Sequence, residues 1–285
     1  MQAAGLTCTT RRGSTIDRFR DRLIFGIRDL DGDLVGFTAR CAPGVSAAVP
    51  KYLNTPHTAL YNKSSSLFGL GEQAPRLRDG ANLVLVEGPL DALAVDLLNT
   101  DDSTRLASLA ACGTAMSTQH GEVLASLVHS HTIIAFERDP AGLKASERAA
   151  IALGSQLPSM YTATLPRGSD PATVLADAGA RGLRNRVMQL RPLTDAVMAE
   201  HIAAWPNLRE NAEARVGCLR ELSHLLHQIA PYDISRQATR LPALLGLDQV
   251  TVTRELADAV SCSPERDSAA MARAVGARQE RRVRI

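Results

Sequence analysis

Five carboxylates of this sequence stand where short apolar runs end. Glu87 closes the run NLVLVE (82–87) and is followed by Gly88, with Asp91 one turn into the next helical stretch. Glu137 closes TIIAFE (132–137), Asp139 lies two residues on, and Asp170 follows YTATL (161–165) in the string GSDP. Carboxylates gathered at one sheet edge repel one another unless a cation neutralises them, so an all-oxygen donor set in this pattern points to Mg2+ or Mn2+. The plainer alternative for Asp91 and Asp170 is a helix cap or a first-turn position, which acidic residues favour at helix N-termini. Residue types and spacing leave both open.

The elements that must position these groups form an alternation beginning at Ala81. Apolar runs at 82–87, 106–112, 132–137 and 161–165 are each followed by a helical stretch: one from Pro89, then 118–128, 140–153, and one from Pro171. Strand and helix in turn over about 100 residues predict βαβ units and a parallel sheet, and such sheets bind ligands at the carboxyl ends of their strands. Ahead of it, 22–28 and 34–40 flank Asp31-Gly32, a hairpin signal. The stretch 42–66, rich in Pro, Ser, Thr and Asn, reads as an ordered surface loop. Beyond Gly179 strand signals stop, and apolar residues recur at helical spacing over 193–203, 215–229 and 236–260. The expected organisation is a basic mixed α/β segment (1–78), a parallel α/β domain (79–178), a helical subdomain (179–262) and a basic, disordered tail (263–285).

With 285 residues, 45% hydrophobic and 22% charged, the chain has the composition of a folded globular protein of about two domains. The formal charge of +2 hides a segregation. Residues 1–78 carry 11 Lys and Arg against 6 Asp and Glu, net +5; 79–178 carry 5 against 12, net −7; 179–285 carry 16 against 12, net +4. A basic surface beside an acidic one suits a metal-dependent enzyme acting on a polyanion, although solvated helix faces give similar counts. Cys8, Cys41, Cys112, Cys218 and Cys262 lie far apart with no CxxC pair, which argues against a zinc site or a disulfide framework. Neither a membrane-length apolar run nor a secretory leader is present, so the expectation is a cytoplasmic protein without membrane association.

The motifs resemble a known family. LVLVEGPLDALAV is similar to the glutamate motif of TOPRIM domains, ACGTA (111–115) to the glycine turn after their second strand, and IIAFERDPAGLKA to their aspartate motif. The flanking RFRDRLIFGIRDLDGDLVGFTAR and PKYLNTPHTALYNKSSSLFGL resemble the segment ahead of TOPRIM in the bacterial DnaG-type primase, and LPRGSDPATVL its stretch after the fourth strand. The resemblance runs in order over about residues 4–178, and RPLTDAVMAEHI (191–202) extends it into the helical subdomain. Trp205, His57, His224 and His227 match none of these motifs and read as packing or surface residues.

The resemblance implies a TOPRIM sheet flanked by helices and metal-dependent synthesis of short RNA primers on single-stranded DNA from ribonucleoside triphosphates. Glu87, Glu137 and Asp139 would be catalytic, and with Asp170 and Asp91 they would hold the metal. Arg22, Arg40, Lys51, Tyr52 and Lys63 correspond to residues lining the groove for template and triphosphate, a role that suits Arg forks, Lys point charges and a stacking Tyr. Without the resemblance the three cations Arg22, Arg40 and Lys63 read as solvated surface charges, and Tyr52 as a loop anchor.

Departures from the family pattern matter as well. Glu137 replaces the first aspartate of DxD, Arg138 the glycine between, and Ala172 the last carboxylate of DPD, so metal affinity is expected to fall, with Arg138 placing positive charge beside the metal. The zinc-binding module and the first part of the amino-terminal subdomain are missing from the pattern. A helicase or a separate zinc-binding primase half is therefore an expected partner. The rival from another class is a catalytically weak or inactive primase-derived protein that binds single-stranded nucleic acid, as one part of a split primase. A TOPRIM nuclease has only the fold in its favour, and a topoisomerase would need strand-passage domains for which the chain has no room.

Overall fold

The computed structural model describes residues 1–42, 44–45, 48–99, 105–113, 115–157, 159–229 and 233–261. The expected tail, with Cys262, lies outside the described residues, as does Thr114 of the glycine turn. The chain packs as two units, Met1–Val197 and Met198–Ile285, divided within one helix.

The first unit opens with a short antiparallel pair, β1 (Thr7–Thr9) and β2 (Thr15–Asp17). A three-stranded antiparallel sheet follows, of β3 (Arg22–Arg28), β4 (Leu34–Cys41) and β5 (Tyr52–Asn54), in the order β3-β4-β5. The β3–β4 hairpin is the one the Asp-Gly signal predicts, and Gly32 has φ +85°, which a glycine adopts without strain. Strand β5 corrects the reading of 42–66 as loop: Thr38 pairs with Asn54, Ala39 with Leu53 and Arg40 with Tyr52. Three residues between Pro-rich flanks carry too little period-two signal to register as a strand. The helix α1 (Leu70–Arg78), also missed, buries Leu70, Ala74 and Leu77.

Next comes the alternation: β6 (Asn82–Val86), α2 (Pro89–Asp96), β7 (Leu106–Ala110), α3 (Thr118–Ala125), β8 (Thr132–Ile134), α4 (Pro140–Leu153), β9 (Met160–Ala163), α5 (Pro171–Val187) and β10 (Leu190–Pro192). The sheet order is β10-β9-β8-β6-β7, with β6, β7, β8 and β9 parallel. This is the α/β TOPRIM sheet that the motifs predict. Val84, Val86, Leu106 and Ile133 are fully buried between helix layers, and for that reason the strands read as continuous apolar runs. Strand β10 corrects the expectation that strands stop at Gly179, since it pairs antiparallel with β9 and closes that edge. Among the described residues, no helix is long and apolar enough to cross a membrane.

The second unit begins within α6 (Leu193–Ala204) and contains α7 (Ala212–Ile229), α8 (Ile234–Leu245) and α9 (Gln249–Ser261). Its core joins Met198, Leu219, Leu222, Leu226, Leu241 and Leu256, with Trp205 partly buried against it. His227 Nε2 lies 3.2 Å from the Leu256 carbonyl, so Trp205 and His227 serve packing.

Candidate functional site

Three helices of the first unit start at the carboxyl edge of the parallel sheet in the same way, each with proline at its first position: Pro89, Pro140 and Pro171. Proline's fixed φ suits that position, where its missing N–H costs no helical hydrogen bond. The acidic residues around these starts satisfy the exposed backbone donors. Asp139 Oδ1 accepts from Gly142 N at 2.7 Å, and Asp170 Oδ1 accepts from Thr173 N at 2.7 Å. Asp91 accepts twice, from Gly88 N at 3.1 Å and from Ala172 N at 3.2 Å, and so ties the start of α2 to the start of α5. The cap and first-turn alternative therefore holds for Asp91 and Asp170 in hydrogen bonding, and Asp139 caps its helix as well, while one oxygen each of Asp139 and Asp170 stays free of hydrogen bonds among the described residues.

Glu87 reaches the aspartate loop by accepting from Glu137 N through Oε1 at 3.1 Å. Strand β8 ends at Ile134, so Glu137 stands on the loop beyond the strand rather than at its last residue. Burial pushes Asp91 up to about 6, with the charge of Asp170 adding to the effect. Glu87 also titrates above the ordinary carboxylate range. Partial burial is the main cause, and Glu137 and Asp139 reinforce it against the backbone N–H of Glu137 and the ammonium of Lys51.

A cavity of about 100 Å³ gathers six of the ten candidate residues: Lys51, Tyr52, Glu87, Asp91, Glu137 and Asp170. Strand β5 and the residue just ahead of it deliver the first two. The Asn54 side-chain amide donates to the Cys112 carbonyl at 2.6 Å, binding β5 to the glycine turn. Asn54 was passed over in the sequence; its position two residues from Tyr52 on one strand puts both on the same face. Cys112 holds φ +54° and Gly113 +77°, a left-handed turn that places Gly113 in the cavity wall. A Cβ on Gly88 would meet the Tyr52 hydroxyl at 2.5 Å, so this glycine permits the close approach of β5 to the acidic edge. Burial pushes the Tyr52 phenol up to about 12, so it remains a neutral donor, and the Arg40 guanidinium lies 5.8 Å from its ring centroid.

The remaining candidates are placed elsewhere. Arg22 donates to the Pro50 carbonyl at 2.9 Å and so fastens the irregular segment leading into β5, a structural duty beyond that of a solvated charge. Lys63 lies outside the lining of the cavity. Arg138 lines neither this cavity nor the larger one that shares Glu87 with it: its guanidinium donates to the Leu165 carbonyl at 3.2 Å, and its own carbonyl accepts from Gly168 N at 3.0 Å. Ala172, where the pattern has a carboxylate, contributes its backbone N–H to Asp91 instead.

Among the described residues, no three His, Cys, Asp or Glu side chains stand close enough together to enclose one ion. The donor set nonetheless fits a hard divalent cation, since Mg2+ keeps several waters and is commonly held by one or two carboxylates plus substrate phosphates. Burial is the main cause that raises Glu87 and Asp91, with neighbouring carboxylates adding to it.

Residues 1–74 match the family described as DNA primase catalytic core, N-terminal domain, and residues 84–175 match the Toprim-like family. The DNA primase of Streptomyces coelicolor is 32% identical over 260 residues, covering 89% of this chain and 39% of that protein. The chain thus spans about two fifths of the length of that curated relative. Among solved structures, a DNA primase domain from Pseudomonas aeruginosa superposes with a TM-score of 0.74 at 29% identity, covering 90% of this chain and 78% of that one. The RNA polymerase domain of Mycobacterium tuberculosis primase DnaG gives 0.69 at 31%, covering 85% and 76%. A DnaG primase catalytic domain bound to ssDNA gives 0.69 at 28%, covering 87% and 76%.

Proposed function

Because this chain belongs to the DnaG-type DNA primase family, we propose that it carries out that family's chemistry: divalent-metal-dependent synthesis of short RNA primers on single-stranded DNA. The observation that carries this reading is the cavity in which β5 and the residue just ahead of it, from the basic segment, bring Lys51 and Tyr52 against Glu87, Asp91, Glu137 and Asp170. Primer synthesis needs phosphate-binding cations next to metal-binding carboxylates, and here two separate sheets supply them to one place.

Glu87, Glu137, Asp139 and Asp170 are the residues proposed to hold Mg2+ or Mn2+. Such an ion, when bound, lowers the pKa of an attacking ribose hydroxyl and offsets charge on the departing pyrophosphate. Asp91 keeps the starts of α2 and α5 together behind them. Lys51 and Arg40 bind triphosphate or template phosphates, and Tyr52, neutral at physiological pH, is available to stack on a base. Residues 1–78 would act as the basic template-binding part and 79–178 as the catalytic part, working in the cytoplasm. A helicase or a separate zinc-binding half remains the proposed source of template selection.

The test combines a single-stranded template, ribonucleoside triphosphates and Mn2+ or Mg2+, with RNA oligomers as the readout. Synthesis should stop on chelation. Glu87→Gln should weaken Mn2+ binding by about 1 to 3 kcal/mol in calorimetry, the usual range for losing a charged contact. Intact single-strand binding with no oligomer under any metal would overturn catalysis and leave a binding protein.

A further inference from the structure

His120, in the first turn of α3, is wholly buried, and the chemistry of the cavity does not use it. It and Ser117 cap the helix for each other: Nδ1 accepts from Ser117 N at 3.1 Å, and Ser117 Oγ accepts from His120 N at 3.3 Å. An Nδ1 that accepts carries no proton, so the neutral ring keeps its hydrogen on Nε2. That buried nitrogen has no hydrogen-bond partner among the described residues. The carbonyls of Ser66 and Lys63 draw on the ring without completing the bond, and burial outweighs them, so His120 titrates below the ordinary histidine range. Helix capping alone does not account for a histidine here. Gln or Glu, the usual residues at this position of a capping box, would cap without burying an unpaired donor.

Those carbonyls belong to the turn 62–66, which is wound on Asn62: its carbonyl accepts from Ser65 N at 3.2 Å and Ser66 N at 3.0 Å, and its Oδ1 from Ser64 N at 3.0 Å. Ser117 Oγ donates to the Ser64 carbonyl at 2.5 Å, so the start of α3 grips the turn that carries Lys63. The chain on either side is anchored elsewhere, at Tyr61 against Gly36 of β4 and at Phe68, which bridges to Ala110 at the end of β7. We propose that His120 and Ser117 are positioning residues for Lys63: they hold its turn on α3 and so fix the point from which its ammonium reaches phosphate oxygens. The phosphates rest on the primase reading; the clamp rests on the contacts above. A lysine stem is flexible, so its reach is set by where its backbone is held. The clamp holds it at Ser117, four residues along the chain from Gly113 in the cavity wall.

The experiment is a double-mutant cycle on the full chain with Mn2+, read with two phosphate probes: inorganic tripolyphosphate by calorimetry and a deoxythymidine oligomer by fluorescence anisotropy. Lys63→Ala should weaken at least one probe about tenfold, the scale of one charge-assisted contact, and the probe affected tells triphosphate from template. His120→Gln keeps the capping-box acceptor without the ring, and should weaken that same probe about threefold. Added to Lys63→Ala it should change nothing further, because it acts only through the lysine. A merely structural loss would persist when Lys63 is gone. Ser117→Gly removes the hydroxyl from Ser64 while remaining a tolerated N-cap, and should show the same dependence on Lys63. It keeps the cycle decisive if circular dichroism shows His120→Gln misfolded. Losses that add in the double variants, clamp variants that bind like the parent, or a Lys63→Ala without effect on either probe would overturn the positioning role while the primase reading stands. A parent that binds neither probe would overturn the primase reading, and the positioning role with it.

Discussion

The acidic edge of the parallel sheet and the basic sheet that faces it hold their charges in opposite ways. At the acidic edge Glu87, Asp91, Asp139 and Asp170 each accept a backbone N–H, so their positions follow from the helix starts and the loop beside them. On the basic side the ammonium groups of Lys51 and Lys63 make no side-chain hydrogen bond among the described residues, and Arg40 has only the Tyr52 ring. The anionic half is held by backbone donors, and the cationic half has no such hydrogen bonds among the described residues. That division suits a site whose metal must sit in one place while a flexible polyanion slides past, because fixed carboxylates avoid reorganisation and cations without such bonds adapt to successive phosphates.

The comparison breaks most severely at Gly142. A Cβ there would clash with the Glu137 carbonyl oxygen and lie 3.4 Å from Asp139 Oδ1, backbone and cap together. Gly142→Ala should cost about 3 kcal/mol of stability, at the upper end for overpacking, and abolish Mn2+ binding because the aspartate loop is displaced. Denaturant unfolding and metal titration check both. Unchanged stability would mean that the loop is not held rigidly by the helix start.

Asp91 sharpens the contrast through pH. Its raised value means that the folded state binds its proton more tightly than the unfolded chain, so the contribution of Asp91 to stability falls as pH rises from about 4 to about 6. Asn at this position does not titrate. The parent should therefore gain on Asp91→Asn by about 2 kcal/mol between pH 7 and pH 4 in metal-free buffer, most of the effect of a shift to about 6 at 1.36 kcal/mol per pKa unit. Parallel stability curves would show that burial does not penalise this carboxylate.

The cationic half is read by salt. Replacing Arg40, Lys51 and Lys63 with Ala should flatten the plot of log affinity for single-stranded DNA against log salt by roughly 2 units, at about 0.7 per phosphate contact. The same measurement on a chain lacking residues 263–285 is the control for its arginines, whose charge alone would attract phosphate. The smallest effect is expected at Arg22, which is committed to a carbonyl. Arg22→Ala should lose about 1 kcal/mol of stability with its bond to Pro50 and leave the salt slope unchanged. A slope change at Arg22 as large as that of a single substitution at Lys51 would place it among the phosphate-binding cations.

The strand–helix alternation, the carboxyl-edge placement of Glu87 and the helix starts at Pro89, Pro140 and Pro171 were legible in the sequence, because fully buried strands must be apolar on both faces and helix starts have local chemistry of their own. Even the capping of Asp170 was an open alternative there. Strands β5 and β10 were not legible: each is three residues at the edge of its sheet, owes its form to one partner strand and lacks the continuous apolar run of a buried strand. Nor could residue type say where long side chains end. Arg22, Arg138 and Arg148 carry the same group, yet one binds the Pro50 carbonyl, one the Leu165 carbonyl, and one stays free beside a cavity. Tertiary structure decided among them, because a guanidinium on a flexible stem goes to whichever unpaired acceptor the fold leaves within its reach.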